Sequence, residues 1–185
     1  MKKIINTVAL LFAGFALIGS AGAANDTSKA DLKAARQTAA DNYKAARMVC
    51  DGVAGNPKDV CIAQARAERV KLERQADATN KNTLSALTKS RKDIAAANYD
   101  VAKKQCNSRT GNERDVCVRE AKAVLTGAVA DADADRKVFN ARVSARNDKA
   151  SAIYKVEVEK CDALAGAARN DCVASVKQRF EGIAK

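Results

Sequence analysis

YDVAKKQCNSRTGNERDVC, running from Tyr99 to Cys117, has two counterparts in the same chain: YKAARMVCDGVAGNPKDVC from Tyr43 to Cys61 and YKVEVEKCDALAGAARNDC from Tyr154 to Cys172. In each copy Tyr stands seven residues before the first Cys, Gly five residues after it, and the second Cys eleven residues after it. All six cysteines and all three tyrosines of the chain fall within this pattern. Self-similarity at a spacing near 55 residues marks a repeat architecture.

The flanks of each copy are rich in Ala, Lys, Glu, Arg and Gln, which are good helix formers. Between the cysteines lies the only strong punctuation, Gly55-Asn56-Pro57, Gly111-Asn112 and Gly166. A glycine supplies the left-handed conformation that closes a helix, and Pro57 suits the first turn of the next. Each copy therefore reads as helix, tight turn, helix, with Tyr and the first Cys on one face of the incoming arm. The fold class is all-α, built from three disulfide-stapled helical hairpins.

Six cysteines allow 15 pairings. The repeat selects Cys50–Cys61, Cys106–Cys117 and Cys161–Cys172, because each module then carries its own bridge. Closing so short a loop contributes roughly 2–4 kcal/mol. Reduced, the same thiols would offer soft ligands for Cu(I), but each hairpin has only two, with no His in the chain to join them. The tyrosines are expected to pack on the opposite arm beside the bridge rather than to stand free as stacking groups.

Met1–Ala23 reads as an export signal, with Lys2 and Lys3 ahead of a largely apolar Ile4–Ile18 and a small-residue site at Ala21-Gly22-Ala23. Export implies an oxidising compartment, periplasmic or secreted, where an even cysteine count reads as disulfides. No transmembrane anchor is expected after cleavage. Removing 23 residues leaves 162, a single all-helical repeat domain over 24–185 with hairpin modules at about 28–80, 81–136 and 137–185. The formal net charge falls from +11 to +9 as the two signal lysines leave. With 4% aromatics and no Trp, the core is thin, and disulfides offset that deficit.

Ala24–Thr27 reads as a flexible start, and Ser28 with Asp31 as a capping box for a first helix reaching about Val53. The apolar spacing lapses at Glu73–Thr83 and again at Ala130–Lys137. Each lapse is either a solvated stretch of one long helix or a break between two. Acid-first pairs four apart, Asp77–Lys81 and Asp133–Lys137, favour continuity. Continuous helices over roughly 58–109 and 113–165 would each be near 75–80 Å long. They would form an elongated antiparallel bundle or coiled-coil-like assembly, with the first and third tips at one end and the second alone at the other. Breaks at both joints would fold a compact bundle instead.

Absence of His removes the commonest general base and metal ligand, and no phosphate-cradling Gly loop or nucleophile elbow occurs. The reading is non-enzymatic, without cofactor or metal: an exported cell-envelope protein acting as a binding, spacer or stress-protective factor. The alternative is a polyanion-binding protein taking lipopolysaccharide, peptidoglycan or DNA through its basic surface. Lys103, Lys104, Arg109 and Arg114, around the second tip, are the candidate contacts. Partners are thus anionic envelope polymers or another envelope protein, and thiol metal sequestration is the most distant reading.

The segments YKAARMVCDGVAGNPKDVCIAQARA (Tyr43–Ala67) and AKKQCNSRTGNERDVCVREAKA (Ala102–Ala123) resemble a group of uncharacterised Ala- and Lys-rich exported proteins of proteobacteria. In that group a Cys–Gly-turn–Asp-x-Cys hairpin recurs. The resemblance implies repeated helical hairpins and brings no activity or binding residue with it.

Overall fold

A computed structural model describes residues 23–182. The export-signal reading lies outside the described residues, except for Ala23, the first residue of α1. Five helices follow in order: α1 (Ala23–Cys50), α2 (Gly55–Lys81), α3 (Leu84–Cys106), α4 (Gly111–Cys161) and α5 (Gly166–Phe180). The all-helical, disulfide-stapled expectation holds. The expected flexible start at Ala24–Thr27 does not, because α1 already runs through it.

The two joints behave differently, and local chemistry explains why. At the first, α2 ends at Lys81 with Asn82 in the left-handed conformation (φ 44°, ψ 43°) and its N–H donating to the Ala78 carbonyl at 2.9 Å. Asn is one of the few residues that visits this conformation readily. Thr83 is then the N-cap of α3, its hydroxyl accepting from the Ala86 N–H at 3.1 Å. At the second joint, Ala130–Asp135 alternates alanine with three aspartates, two of which α3 holds. Lys92 Nζ lies 2.7 Å from Asp133 and Arg91 2.6 Å from Asp135. No left-handed residue interrupts it, and α4 continues for 51 residues, about 76 Å at 1.5 Å per residue.

The expectation of a continuous helix over 58–109 is therefore corrected, and the one over 113–165 is met. The acid-first pairs do not account for the outcome. Asp77 binds Arg36 and Arg74 rather than Lys81, and Asp133 binds Lys92 and Arg136 rather than Lys137.

Helices pack only on their neighbours in sequence: α1 on α2, α2 on α3, α3 on α4, and α4 on α5. All four pairs are antiparallel. Arg36 meets Asp77, Asp59 meets Lys104, Arg91 meets Asp135, and Arg179 meets Glu157. The first four helices form a single layer, and the distal part of α4 projects beyond it to pair with α5. Tips one and two consequently lie side by side, and tip three stands alone at the far end. That reverses the expected arrangement, in which the second tip was the isolated one.

A single layer has little interior, and its buried apolar positions are small. Among the described residues they are Ala39, Ala65, Ala67, Ala132, Ala150, Val176 and the first cysteine of each hairpin, Cys50, Cys106 and Cys161. Thr88 and Ser90 are buried as well, and the Thr88 hydroxyl donates to the Leu84 carbonyl at 2.8 Å, so it is not orphaned. Ser28 is not a cap. It sits inside α1, where its hydroxyl and carbonyl both accept from the Asn80 amide and tie α1 to the end of α2.

Candidate functional site

The three hairpin tips share one construction. The incoming helix ends at its cysteine, and its last turn tightens through bonds between residues three apart, Asp51 to Met48, Asn107 to Lys104 and Asp162 to Glu159. Four residues later an extended residue leads into the glycine, which takes positive φ at 64°, 53° and 56° in Gly55, Gly111 and Gly166. The glycine thus opens the outgoing helix instead of closing the incoming one. The second cysteine is the seventh residue of that helix, and the pairs are Cys50–Cys61, Cys106–Cys117 and Cys161–Cys172 with Cα atoms 5.6–5.7 Å apart. No free cysteine occurs among the described residues.

A second fastening was legible in the repeats but is not part of the cysteine spacing. The residue after the first cysteine is Asp51, Asn107 or Asp162, and eight residues after that cysteine stands Lys58, Arg114 or Arg169. These meet across each tip, at 3.0 Å for Lys58–Asp51, 3.2 Å for Arg114–Asn107 and 2.7 Å for Arg169–Asp162. The Lys58 ammonium, hydrogen-bonded to Asp51, holds that carboxyl below the usual carboxylate range.

The tyrosines face the opposite arm, as their shared face with the cysteine implies. Arg69 of α2 lies 5.5 Å from the Tyr43 ring, Lys122 of α4 5.4 Å from Tyr99, and Phe180 of α5 packs edge-on at 5.7 Å from Tyr154. These are side chains spent on packing each hairpin two turns from its bridge.

Lys103, Lys104, Arg109 and Arg114 are not presented together as one free patch. Lys103 stands over Tyr99 at 5.5 Å, Lys104 reaches Asp59 of α2 at 3.6 Å, and Arg114 is engaged with Asn107. Arg109, exposed in the tip loop, has no such contact among the described residues. Lys103 and Lys104 instead border a groove of about 580 Å³ between α2 and α3, floored by Ala63, Ala67, Ala96 and Ala97. Arg66 and Arg74 line the same groove, and Asp93 and Asp100 offset part of its positive charge.

The densest uncompensated charge lies elsewhere, on α4. Arg136 is paired with Asp133, but from Lys137 to Lys155 the chain carries Lys137, Arg142, Arg146, Lys149 and Lys155 against Asp148 alone, a net +4. The spacing of Arg142, Arg146 and Lys149, four and three apart, was the available signal in the sequence. Between Phe139 and Tyr154 no hydrogen bond, ion pair or aromatic contact ties α4 to another described helix. The ion pairs of α4 in this region involve Asp133, Asp135, Arg136, Glu157 and Lys160.

Among the described residues no group of three or more His, Cys, Asp or Glu is placed to hold a metal ion. No described helix is long and apolar enough to cross a membrane. Comparison with protein families, curated proteins and solved structures finds no match to this chain.

Proposed function

We propose that the protein is a non-enzymatic, exported component of the cell envelope, periplasmic or secreted, that acts as a spacer or adaptor between partners at its two ends. The observation that carries this reading is the uninterrupted α4. One helix of about 76 Å joins a broad, doubly stapled end to a slender, singly stapled one. Stapled tips with clasped loops suit a part that must hold its shape at its extremities, and half-packed Ala seams suit a rod better than a container.

Photo-crosslinkable residues at Ser108 and Ala163, one in the second tip and one in the third, test it in intact cells. The expected result is a different envelope component captured from each end. Capture of only the protein itself from both positions retires the spacer reading. Mass spectrometry of the purified protein reports independently whether the chain begins after Ala23.

A second reading, polyanion binding, is favoured by the net +4 over Lys137–Lys155 of α4 rather than by the second tip. Thiolate metal binding would require prior reduction of the three bridges.

A further inference from the structure

The basic stretch of α4 has an apolar companion that the helix brings into register with it. At 100° per residue, Arg142, Arg146 and Lys149 fall within about 60° of one another. Val138 and Phe139, one turn before, and Ile153 and Val156, after, fall on the same arc of roughly 100°. All seven side chains are exposed, and the four apolar ones are 50%, 53%, 44% and 55% accessible in that order, the Phe139 ring also lining a groove with Leu84 and Leu87 at the start of α3. The stripe is about 27 Å long at 1.5 Å per residue. Val124, 73% exposed, continues the same arc toward the α3–α4 groove that it helps to line. Val143, Asn147 and Ala150 lie about a quarter-turn away, on the side that runs on to Tyr154 and Cys161 and faces α5.

We propose that this stripe, from Val138 to Val156, seats the protein on a bilayer surface carrying anionic phospholipid. The proposal rests on the polyanion reading above and names its ligand. Three cations in a row complement headgroup phosphates, and the apolar groups at both ends of the row reach the acyl boundary. That combination of basic and apolar residues on one exposed helical face is the signature of an interfacial helix. A soluble phosphate polymer would recruit the cations without needing the four apolar groups. The stripe offers one aromatic ring, Phe139, and so no stacking series for the bases of a single strand. Just beyond the two ends of the stripe, Asp135 and Glu157 fall on the same arc and are held by Arg91 of α3 and Arg179 of α5.

Vesicle co-sedimentation of the full mature chain tests this, with vesicles of about one-third phosphatidylglycerol, phosphatidylcholine vesicles, and heparin as a soluble polyanion in parallel. Each Lys or Arg near an anionic leaflet contributes roughly fivefold to binding. R142Q/R146Q/K149Q should therefore bind the anionic vesicles on the order of a hundredfold more weakly, with helix content unchanged, because Gln is a good helix former. K29Q/K33Q/K177Q removes as many exposed charges elsewhere and should lose far less. F139A/I153A should weaken vesicle binding while leaving heparin binding as it was. The proposal is overturned if anionic vesicles bind no better than neutral ones, or if the two triple variants lose equally. Heparin binding that depends on Arg142, Arg146 and Lys149 without any vesicle binding would overturn the lipid assignment and preserve the polyanion reading. Failure with both probes would remove both.

Discussion

The bare middle of α4 makes a sharp mechanical prediction. Ser144 and Ala145 lie where no described helix braces α4, so a break there should bend the molecule without unfolding its hairpins. In S144G/A145P the proline removes the N–H that bonds to Ala141 and clashes with that carbonyl, costing about 3 kcal/mol of helix locally. The glycine frees the preceding residue. Spin labels carried by noncanonical residues at Asp115 and Glu159, both within α4 and leaving the disulfides untouched, span 44 residues. A straight helix puts their backbones about 66 Å apart. The break divides that span into arms of about 45 and 21 Å, and a free joint between them would give a root-mean-square separation near 50 Å. Pulsed dipolar spectroscopy should show a narrow peak near 66 Å in the parent. In the variant the distribution should broaden and shift below about 60 Å, toward the free-joint limit. Thermal unfolding of the stapled hairpins should move little. A parent distribution that is already short and broad would refute the continuous α4, and an unchanged variant would show that contacts hold this span straight.

Asn82 is the switch at the first joint, so N82V, which forces a β-branched residue into the left-handed region, should destabilise by roughly 1–2 kcal/mol in chemical denaturation, whereas N82G should be near neutral. Replacing Cys50 and Cys61 together by Ala should lower stability by roughly 3 kcal/mol while circular dichroism keeps most of its helical signal, because the α1–α2 seam does not depend on the bridge for its register. G111A meets no atom within 4 Å, so its cost comes from the positive φ alone, roughly 1–2 kcal/mol by the same assay. Acid should weaken the fold in a defined direction. The carboxyl of Asp133, hydrogen-bonded to Lys92, and that of Glu157, hydrogen-bonded to Lys160, are both held below the usual carboxylate range. Their contribution is complete above that range and is lost as pH falls through the lowered values. The melting temperature should therefore drop between about pH 5 and pH 2, and K92Q should reduce the Asp133 share of that drop.

The three tips were legible from the sequence because each is a short-range device. Cysteine, glycine and the second cysteine act within eleven residues, and a left-handed glycine or a bridge between adjacent turns leaves the same imprint wherever it recurs. The clasp of Asp51 with Lys58 and its counterparts was equally local, present in three aligned copies. The joints were not legible in the same way. Both are polar, both lack proline, and both contain an acid-first pair that local rules count in favour of continuity. What separates them is partly local, the Asn82-Thr83 pair that can end one helix and cap the next. It is also partly tertiary: Lys92 and Arg91, more than 40 residues away in sequence, pair with Asp133 and Asp135 of the second joint.

That one difference rearranged the candidate surface. A break at Asn82 folds α3 back along α2, brings the first two tips together, and draws Lys104 into a pair with Asp59. Continuity through Ala130–Lys137 carries α4 past the layer and leaves Arg142, Arg146 and Lys149 in the open. The sequence by itself determined the all-helical class, the three staples and the net charge, since these follow from spacing and composition. Only the tertiary structure decided which cations are paired and which stand free, because an ion pair between helices depends on the register in which they pack.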